Sequence, residues 1–224
     1  MAEEMIFAAG AMQMLMEEAA AYPGALAYMD FIAGIYAVGD TELTASDVVD
    51  SPGLIGAAGL AVPAADTPPE IIGAMLAALG DAIEDMTLLV EWTDFDGNDH
   101  YPFYLTSDPP SWSYTCSLFL DKSAPLLIPF FNDNSTSARS IFSFSAIAVG
   151  THRAALTRKT ERLAGSIDGA TVETKEQAAA GPFTLTRGAF GGLPGDTTAA
   201  ALYVRKFILY SSMADAQLPA LSVI

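Results

Sequence analysis

Thr87 to Thr93 alternates strictly: Leu88, Val90 and Trp92 lie on one side, and Thr87, Leu89, Glu91 and Thr93 on the other. That is the period of a β-strand with one wholly apolar face and one mixed face, half buried against a core. The same theme recurs downstream. In "SYTCSLFL", Tyr114, Cys116, Leu118 and Leu120 alternate with Ser113, Thr115, Ser117 and Phe119; in "IFSFSAIAV", Phe142 and Phe144 alternate with Ser143 and Ser145. Further strand-like runs are "YPFYLTS", "PLLIPFF", "HRAALTR", "RLAGSI", "FTLTRG" and "ALYVRKFILYSS", separated by the turn formers "DGND", "NDNS", "SIDG" and "LPGD". Asp168-Gly169 tolerates the positive backbone torsions of a primed turn, so "RLAGSIDGATVETK" is predicted to be a two-residue β-hairpin. Many short antiparallel strands at regular spacing imply a sandwich or a barrel.

Before Thr87 the pattern differs. "ALAYMDFIAGIYAVGD" is rich in aromatic and β-branched positions and closes on Gly39-Asp40, which fits one strand or a pair of short ones. Ile71, Ile72, Met75, Leu76, Leu79, Ile83 and Met86 then recur at helical spacing, with Thr67 ahead of Pro68-Pro69 as a start signal, so a helix is predicted over 69–86. The Met-rich opening, about residues 5 to 20, is a short helix or an extended arm; periodicity does not choose between them.

Composition adds constraints. With 224 residues, 51% of them hydrophobic, the chain has material for one sizeable β domain or two small ones. A formal charge of −17 argues against phosphate-backbone binding, which needs clustered Lys and Arg, and against anionic membranes. All ten Lys and Arg follow His100, whereas eighteen of the twenty-seven acids precede Tyr101. Two domains would produce this asymmetry, as would one domain whose early strands face the later, more basic ones. No Pro/Gly/Ser-rich linker divides the halves, which favours a single module over 26–224 preceded by an arm over 1–25. The lone Cys116 excludes an intrachain disulfide framework and reads as a small core hydrophobe. The apolar stretch near the start is preceded by acids and is too short to span a bilayer, so neither a signal peptide nor membrane insertion is expected.

Read together, "THRAALTRKTERLAGSIDGATVET", "FTLTRGAFGG" and "ALYVRKFILYSSMADAQLPAL" resemble the closing third of concanavalin A-like jelly rolls of the laminin-G-like lectin/glucanase superfamily. In that family a strand beginning near a His is followed by a strand ending in a Tyr-x-Asp-Gly-like hairpin, a short strand closing on Gly, and a last strand leading to a small helix. His152, Ile167-Asp168-Gly169, Gly188 and Tyr203 to Tyr210 occupy those places in order, and Ser212 is available to cap the final helix. "LAYMDFIAGIYAVGD" is similar to the opening strand of such modules in tailed-bacteriophage virion proteins. The resemblance spans about residues 26 to 221 and implies an all-β antiparallel jelly-roll sandwich with one inserted helix and a short C-terminal one.

The resemblance directs attention to sugar chemistry. Glycoside hydrolysis needs two carboxyl groups flanking the scissile bond. The Glu-x-Asp-x-x-Glu run that glucanase members carry on one strand is missing, and Glu91 is the nearest strand acid, so no catalytic residue is assigned. Asp94, Asp96, Asn98 and Asp99 in "DFDGNDH" supply the closely spaced oxygen ligands that calcium takes, and equally the composition of an Asx-rich turn. Calcium therefore stays a candidate cofactor, not a required one. Trp112, Tyr101 and Tyr104 lie near strand ends or loops and are candidate sugar-stacking rings, whereas Trp92 is in phase with the core. His100 and His152 are too few for a zinc site, and His152 is expected to be structural.

The expected function is non-enzymatic: a phage virion structural or decoration protein, made in the host cytoplasm, that displays a lectin-like module on head or tail. Met5, Ile6, Phe7, Met12, Leu15 and Met16 would anchor it to other virion proteins or to sister chains in a homo-oligomer, with a trimer as the working form. A host-surface glycan is the candidate ligand. The alternatives are a free glycan-binding lectin with rim calcium and a polysaccharide-degrading enzyme of the same fold.

Overall fold

The computed structural model describes residues 22–63, 67–94, 100–106, 114–121, 126–133, 138–141, 148–159, 162–176, 184–191 and 202–224. The chain forms a two-sheet antiparallel β-sandwich of the jelly-roll class. The early strands are β1 (Ala25–Asp30), β2 (Ile35–Val38), β3 (Thr41–Leu43), β4 (Ile55–Gly56), β5 (Gly59–Val62) and β6 (Glu70–Ile71). The long central strands are β7 (Met86–Asp94), β8 (His100–Thr106), β9 (Tyr114–Asp121), β10 (Leu126–Asp133) and β11 (Ala138–Ile141). Completing the sandwich are β12 (Thr151–Lys159), β13 (Arg162–Ile167), β14 (Glu173–Glu176), β15 (Arg187–Ala189) and β16 (Leu202–Ser211).

One sheet runs β14-β13-β12-β7-β16-β1-β2-β3, with β5 pairing the first part of β16 and β4 pairing β5; the other runs β11-β10-β9-β8-β15-β6. The alternation explains the layering. Leu88, Val90 and Trp92 of β7, Phe207 and Leu209 of β16, and Phe103 and Leu105 of β8 all enter one shared core between the sheets. An aromatic chain crosses it: Phe103 packs on Phe207 at 5.6 Å, Phe207 on Phe190 at 5.5 Å and Phe190 on Phe31 at 5.8 Å, all edge-on. Trp92 and Cys116 lie in this core, as their phase predicts, and burial pushes the Cys116 thiol pKa up, which keeps it an inert thiol. The "ALAYMDFIAGIYAVGD" run is a hairpin, β1 paired with β2 from Ala27↔Val38 to Asp30↔Ile35.

The predicted helix is shorter than its apolar period. It covers Gly73–Ala82 (α2, following the single turn α1, Ala45–Val48) and turns Met75, Leu79 and the adjoining Ile83 into the core. Its expected first turn is taken by the sheet instead. Glu70 and Ile71 pair with Ala189 and Gly188 of β15, and the Phe190 N–H donates to the Pro69 carbonyl at 2.9 Å. Ile71 satisfies either period, and its pairing with Gly188, continued by the Pro69 carbonyl, places it in the sheet. Met86, the expected last helical residue, begins β7.

The hairpin prediction needs a similar adjustment. Asp168 (φ 51°) and Gly169 (φ 74°) form the primed turn, closed by the Ala170 N–H donating to the Ile167 carbonyl at 2.8 Å. The β13–β14 ladder, however, resumes only at Gly165↔Glu173, so this is not a two-residue hairpin. The polar groups of the turn are taken up by the C-terminal segment: Gly169 N–H donates to Ser222 Oγ at 3.0 Å, and Ser166 Oγ lies 2.9 Å from Ser222 Oγ. That segment is a 3-10 turn, Asp215–Gln217, leading into α3 (Leu218–Leu221). Ala214, not Ser212, precedes the first turn, and its N–H is satisfied by Gln217 Oε1 at 3.1 Å.

Candidate functional site: the open end of an outer sheet face

The outer face of the larger sheet is built in cross-strand rows. Tyr203, Thr93 and Thr151 sit opposite one another on β16, β7 and β12; the next row is Lys206, Glu91 and Arg153; then come Ile208, Leu89 and Ala155; then Tyr210, Thr87 and Thr157. The last two rows are sealed. Leu89, Ile208 and Tyr210 pack with Tyr22, Tyr28, Met213 and Leu221, while Leu218 and Leu221 cover Ala155 and Ala164. The first two rows carry polar groups and lie beyond these apolar clusters.

Sequence phase alone places one basic residue of β16 in that polar region, and the structure places two. Val204 and Phe207 both face the core although three positions separate them, because the β7–β16 register shifts between Val204 and Lys206. The extra residue, Arg205, bulges, so Arg205 and Lys206 both reach the outer face. Glu91 is then held from two sides. Its Oε1 lies 2.9 Å from Arg205 Nε, its Oε2 accepts from Arg153 Nε at 2.9 Å, and Arg153 Nη2 also donates to Oε2. Beside it, Lys206 Nζ lies 3.3 Å from Asp30 Oδ2 and 5.6 Å from the centre of the Tyr22 ring. Tyr22 donates its hydroxyl to Asp30. Burial, then the Asp30 hydrogen bond and charge, hold the Tyr22 hydroxyl above the usual phenol range, so it stays a donor.

Two features suit this end for a ligand. Among the described residues, Arg153, Arg205 and Lys206 pair with two carboxylates, Glu91 and Asp30, leaving one positive charge in local excess on a chain of formal charge −17. Arg205 is also the accessible cation. Its side chain is 34% exposed, against 21% for Arg153 and 24% for Lys206, and its Nε meets Glu91 as an ion pair without hydrogen-bond alignment, whereas Arg153 uses Nε and Nη2 on Glu91 and Nη1 on the Val223 carbonyl. The guanidinium of Arg205, the most exposed of the three cations, has the geometry to match a carboxylate, with Tyr203 and the paired hydroxyls of Thr93 and Thr151, 2.8 Å apart, in the adjacent row.

The residues singled out from sequence are distributed differently. Tyr101 and Tyr104 are 7% and 1% exposed and pack edge-on at 6.2 Å, so neither offers a free ring face for stacking. Asp94 is buried at the end of β7, its N–H donating to the Gly150 carbonyl at 3.0 Å. Among the described residues no cluster of three His, Cys, Asp or Glu side chains is placed to hold a metal ion. Asp96, Asn98, Asp99, Trp112 and the arm residues Met5, Ile6, Phe7, Met12, Leu15 and Met16 lie outside the described residues. Glu91, the one strand acid weighed for catalysis, is enclosed by two arginines and 3% exposed. Arg153, Arg205, Thr93 and Thr151 were not marked by sequence reasoning. The usable signal was the three-position spacing of Val204 and Phe207 around adjacent basic residues, which breaks the alternation where a bulge forms.

No protein-family model and no curated protein sequence matches the chain. Solved structures do. The CBM40 module of the Ruminococcus gnavus IT-sialidase bound to alpha2,3 sialyllactose superposes with a TM-score of 0.55 at 15% identity, covering 66% of this chain and 87% of that one. This is a shared β-sandwich fold. The Trypanosoma rangeli sialidase superposes with a TM-score of 0.62 at 13% identity over 89% of this chain, which spans 32% of that enzyme. The same module from Ruminococcus gnavus bound to alpha2,6 sialyllactose matches over 65% of this chain with a TM-score of 0.55 and 14% identity. Among the described residues, no helix is long and apolar enough to cross a membrane.

Proposed function

We propose that the protein is a non-enzymatic glycan-binding module whose ligand carries a carboxylate, bound at the open end of the outer sheet face. The observation that carries this reading is the part-exposed guanidinium of Arg205, ion-paired with buried Glu91 beside Tyr203 and the Thr93–Thr151 pair. The likeness to sandwich modules solved with sialyllactose supports it, because that sugar is anionic and hydroxyl-rich. Glu91 does not serve as a catalytic acid in this reading: both its oxygens are committed to guanidinium groups, and glycoside cleavage needs a second, facing carboxyl.

The test is a glycan array followed by calorimetry on the wild type and on Arg205→Ala. Acidic oligosaccharides are expected to bind the wild type and to lose tenfold or more in affinity in the variant, about 1.4 kcal/mol per factor of ten. Equal affinities, or release of oligosaccharides from an acidic polymer, would contradict the reading.

The finer role, display of this module on a virion, is supported by the likeness of "LAYMDFIAGIYAVGD", the β1–β2 hairpin, to the opening strand of such modules in tailed-bacteriophage virion proteins. The arm ahead of Tyr22 then supplies the attachment to the particle or to sister chains. Deleting residues 1 to 20 is expected to abolish particle incorporation and to lower the sedimentation coefficient of the free protein. Unchanged values for both would remove the arm from the account.

A further inference from the structure

His152 sits at the rim of the sandwich, 7% exposed, its ring 5.6 Å from that of Trp92. Its Nδ1 lies 2.7 Å from Asp168 Oδ2 and its Nε2 lies 2.6 Å from the Ala148 carbonyl oxygen. A carboxylate and a carbonyl only accept, so satisfying both requires N–H on both ring nitrogens, which is the imidazolium. Asp168 is held in turn by the Arg153 N–H, which donates to its Oδ1 at 2.9 Å. The Ala148–Gly150 bend is what the other side of the ring holds. Gly150 accepts from the Asp94 N–H at 3.0 Å, and the next residue, Thr151, pairs with Thr93 in the proposed site.

We propose that His152 is a pH-operated latch on the rim of the glycan site: the imidazolium pins the Ala148–Gly150 bend beside the Thr93–Thr151 pair, and the neutral ring releases it. The function of the latch rests on the glycan-binding reading above; its chemistry does not. Losing one proton to water leaves a single N–H. That hydrogen stays with the Asp168 carboxylate, because facing a ring lone pair toward a negative charge costs more than facing it toward a carbonyl. The Ala148 oxygen then meets the Nε2 lone pair, and the bend moves away.

Among the described residues, the charged groups that act on the ring are Asp168 from the turn after β13 and Asp94 from β7, both negative. Arg153, next on β12, directs its guanidinium to Glu91 on the opposite face. Burial alone pushes the imidazole pKa down, but the hydrogen bonds to Asp168 and Ala148 and the charges of Asp168 and Asp94 outweigh it and raise the pKa above the ordinary value. A raised folded-state pKa means the latch contributes fully below the unfolded value, roughly 6.5, and is lost as pH rises through the higher folded value.

The experiment follows the His152 ring proton by NMR from pH 5 to 9 in a His100→Gln background, together with the exchange protection of the Asp94 amide corrected for its intrinsic pH dependence. Protection is expected to fall tenfold or more in step with the His152 titration. In His152→Phe it should be low and flat over the same range. Constant protection through the titration, or the same fall in His152→Phe, would overturn the latch, and the wild-type titration decides this even where the variant fails to fold. These measurements need no ligand. Affinity for 3′-sialyllactose, measured in parallel, should drop over the same pH interval. Affinity unchanged while the bend loosens would sever the latch from the site, whereas no binding at any pH would defeat the glycan reading and leave the exchange result to judge the latch.

Discussion

At the residue scale, Glu91 organises the outer face. The alternation of β7 puts it on the mixed face, and that much was legible. Its partners were not, because Arg153 and Arg205 come from strands far along the chain whose pairing no local pattern encodes. Removing it should strand two guanidinium groups beside each other. Glu91→Ala is expected to lower unfolding free energy by about 1.5–3 kcal/mol, the usual worth of hydrogen bonds to a charged group, and to weaken glycan binding by disordering Arg205. A urea midpoint within experimental error of the wild type would show that the clamp does not hold the sheet. The aromatics show the opposite limit. Trp92 is assignable to the core because its neighbours share its phase, whereas the accessibility expected of Tyr101 and Tyr104 fails because a run of aromatics in a short strand does not say which faces are covered. In β8 both are covered.

At the element scale, the departures from sequence expectation share one cause: tertiary pairing claims residues that a local period would assign elsewhere. Ile71 belongs to the helical series by spacing and to β6 by hydrogen bonding. The helix consequently begins at Gly73, whose φ of +58° and close approach to the Asp47 carbonyl leave no room for a side chain; an added Cβ would lie 2.6 Å from that oxygen. Gly73→Ala should cost at least the roughly 1–2 kcal/mol of a left-handed non-glycine residue, read as a lower thermal midpoint with the α1–α2 junction losing amide protection first. No change in midpoint would mean the junction is not under that constraint. The bulge at Arg205 is legible in principle, since two core positions three residues apart, Val204 and Phe207, cannot belong to a regular strand. Deleting Arg205 should restore the alternation, leave Lys206 opposite Glu91 without its neighbour, and abolish acidic-glycan binding while the protein remains folded by circular dichroism. Retained binding would exclude the bulge as the source of the site.

At the scale of the whole molecule, the antiparallel sandwich followed from many period-two segments and turn residues, and the order of the late strands followed from the resemblance. The charge asymmetry also has a structural counterpart. Early acids Asp30, Glu70 and Glu91 pair with late bases Lys206, Arg187, Arg153 and Arg205, so the late bases offset part of the early acidic charge across strands brought together by the fold. What stayed illegible was which part of the outer face remains open, because this depends on where the C-terminal segment and Tyr22 settle on the sheet. Their packing covers Leu89, Ile208 and Ala155 and, among the described residues, stops short of the Tyr203–Thr93–Thr151 row.

The central claim is therefore a location as much as an activity, and chemical-shift mapping of the assigned protein during titration with 3′-sialyllactose tests it most directly. Saturable shifts should centre on Thr93, Thr151, Tyr203 and Arg205. Shifts centred on the opposite sheet or on the groove between α2 and Leu185, or none with this or any other acidic glycan, would contradict it.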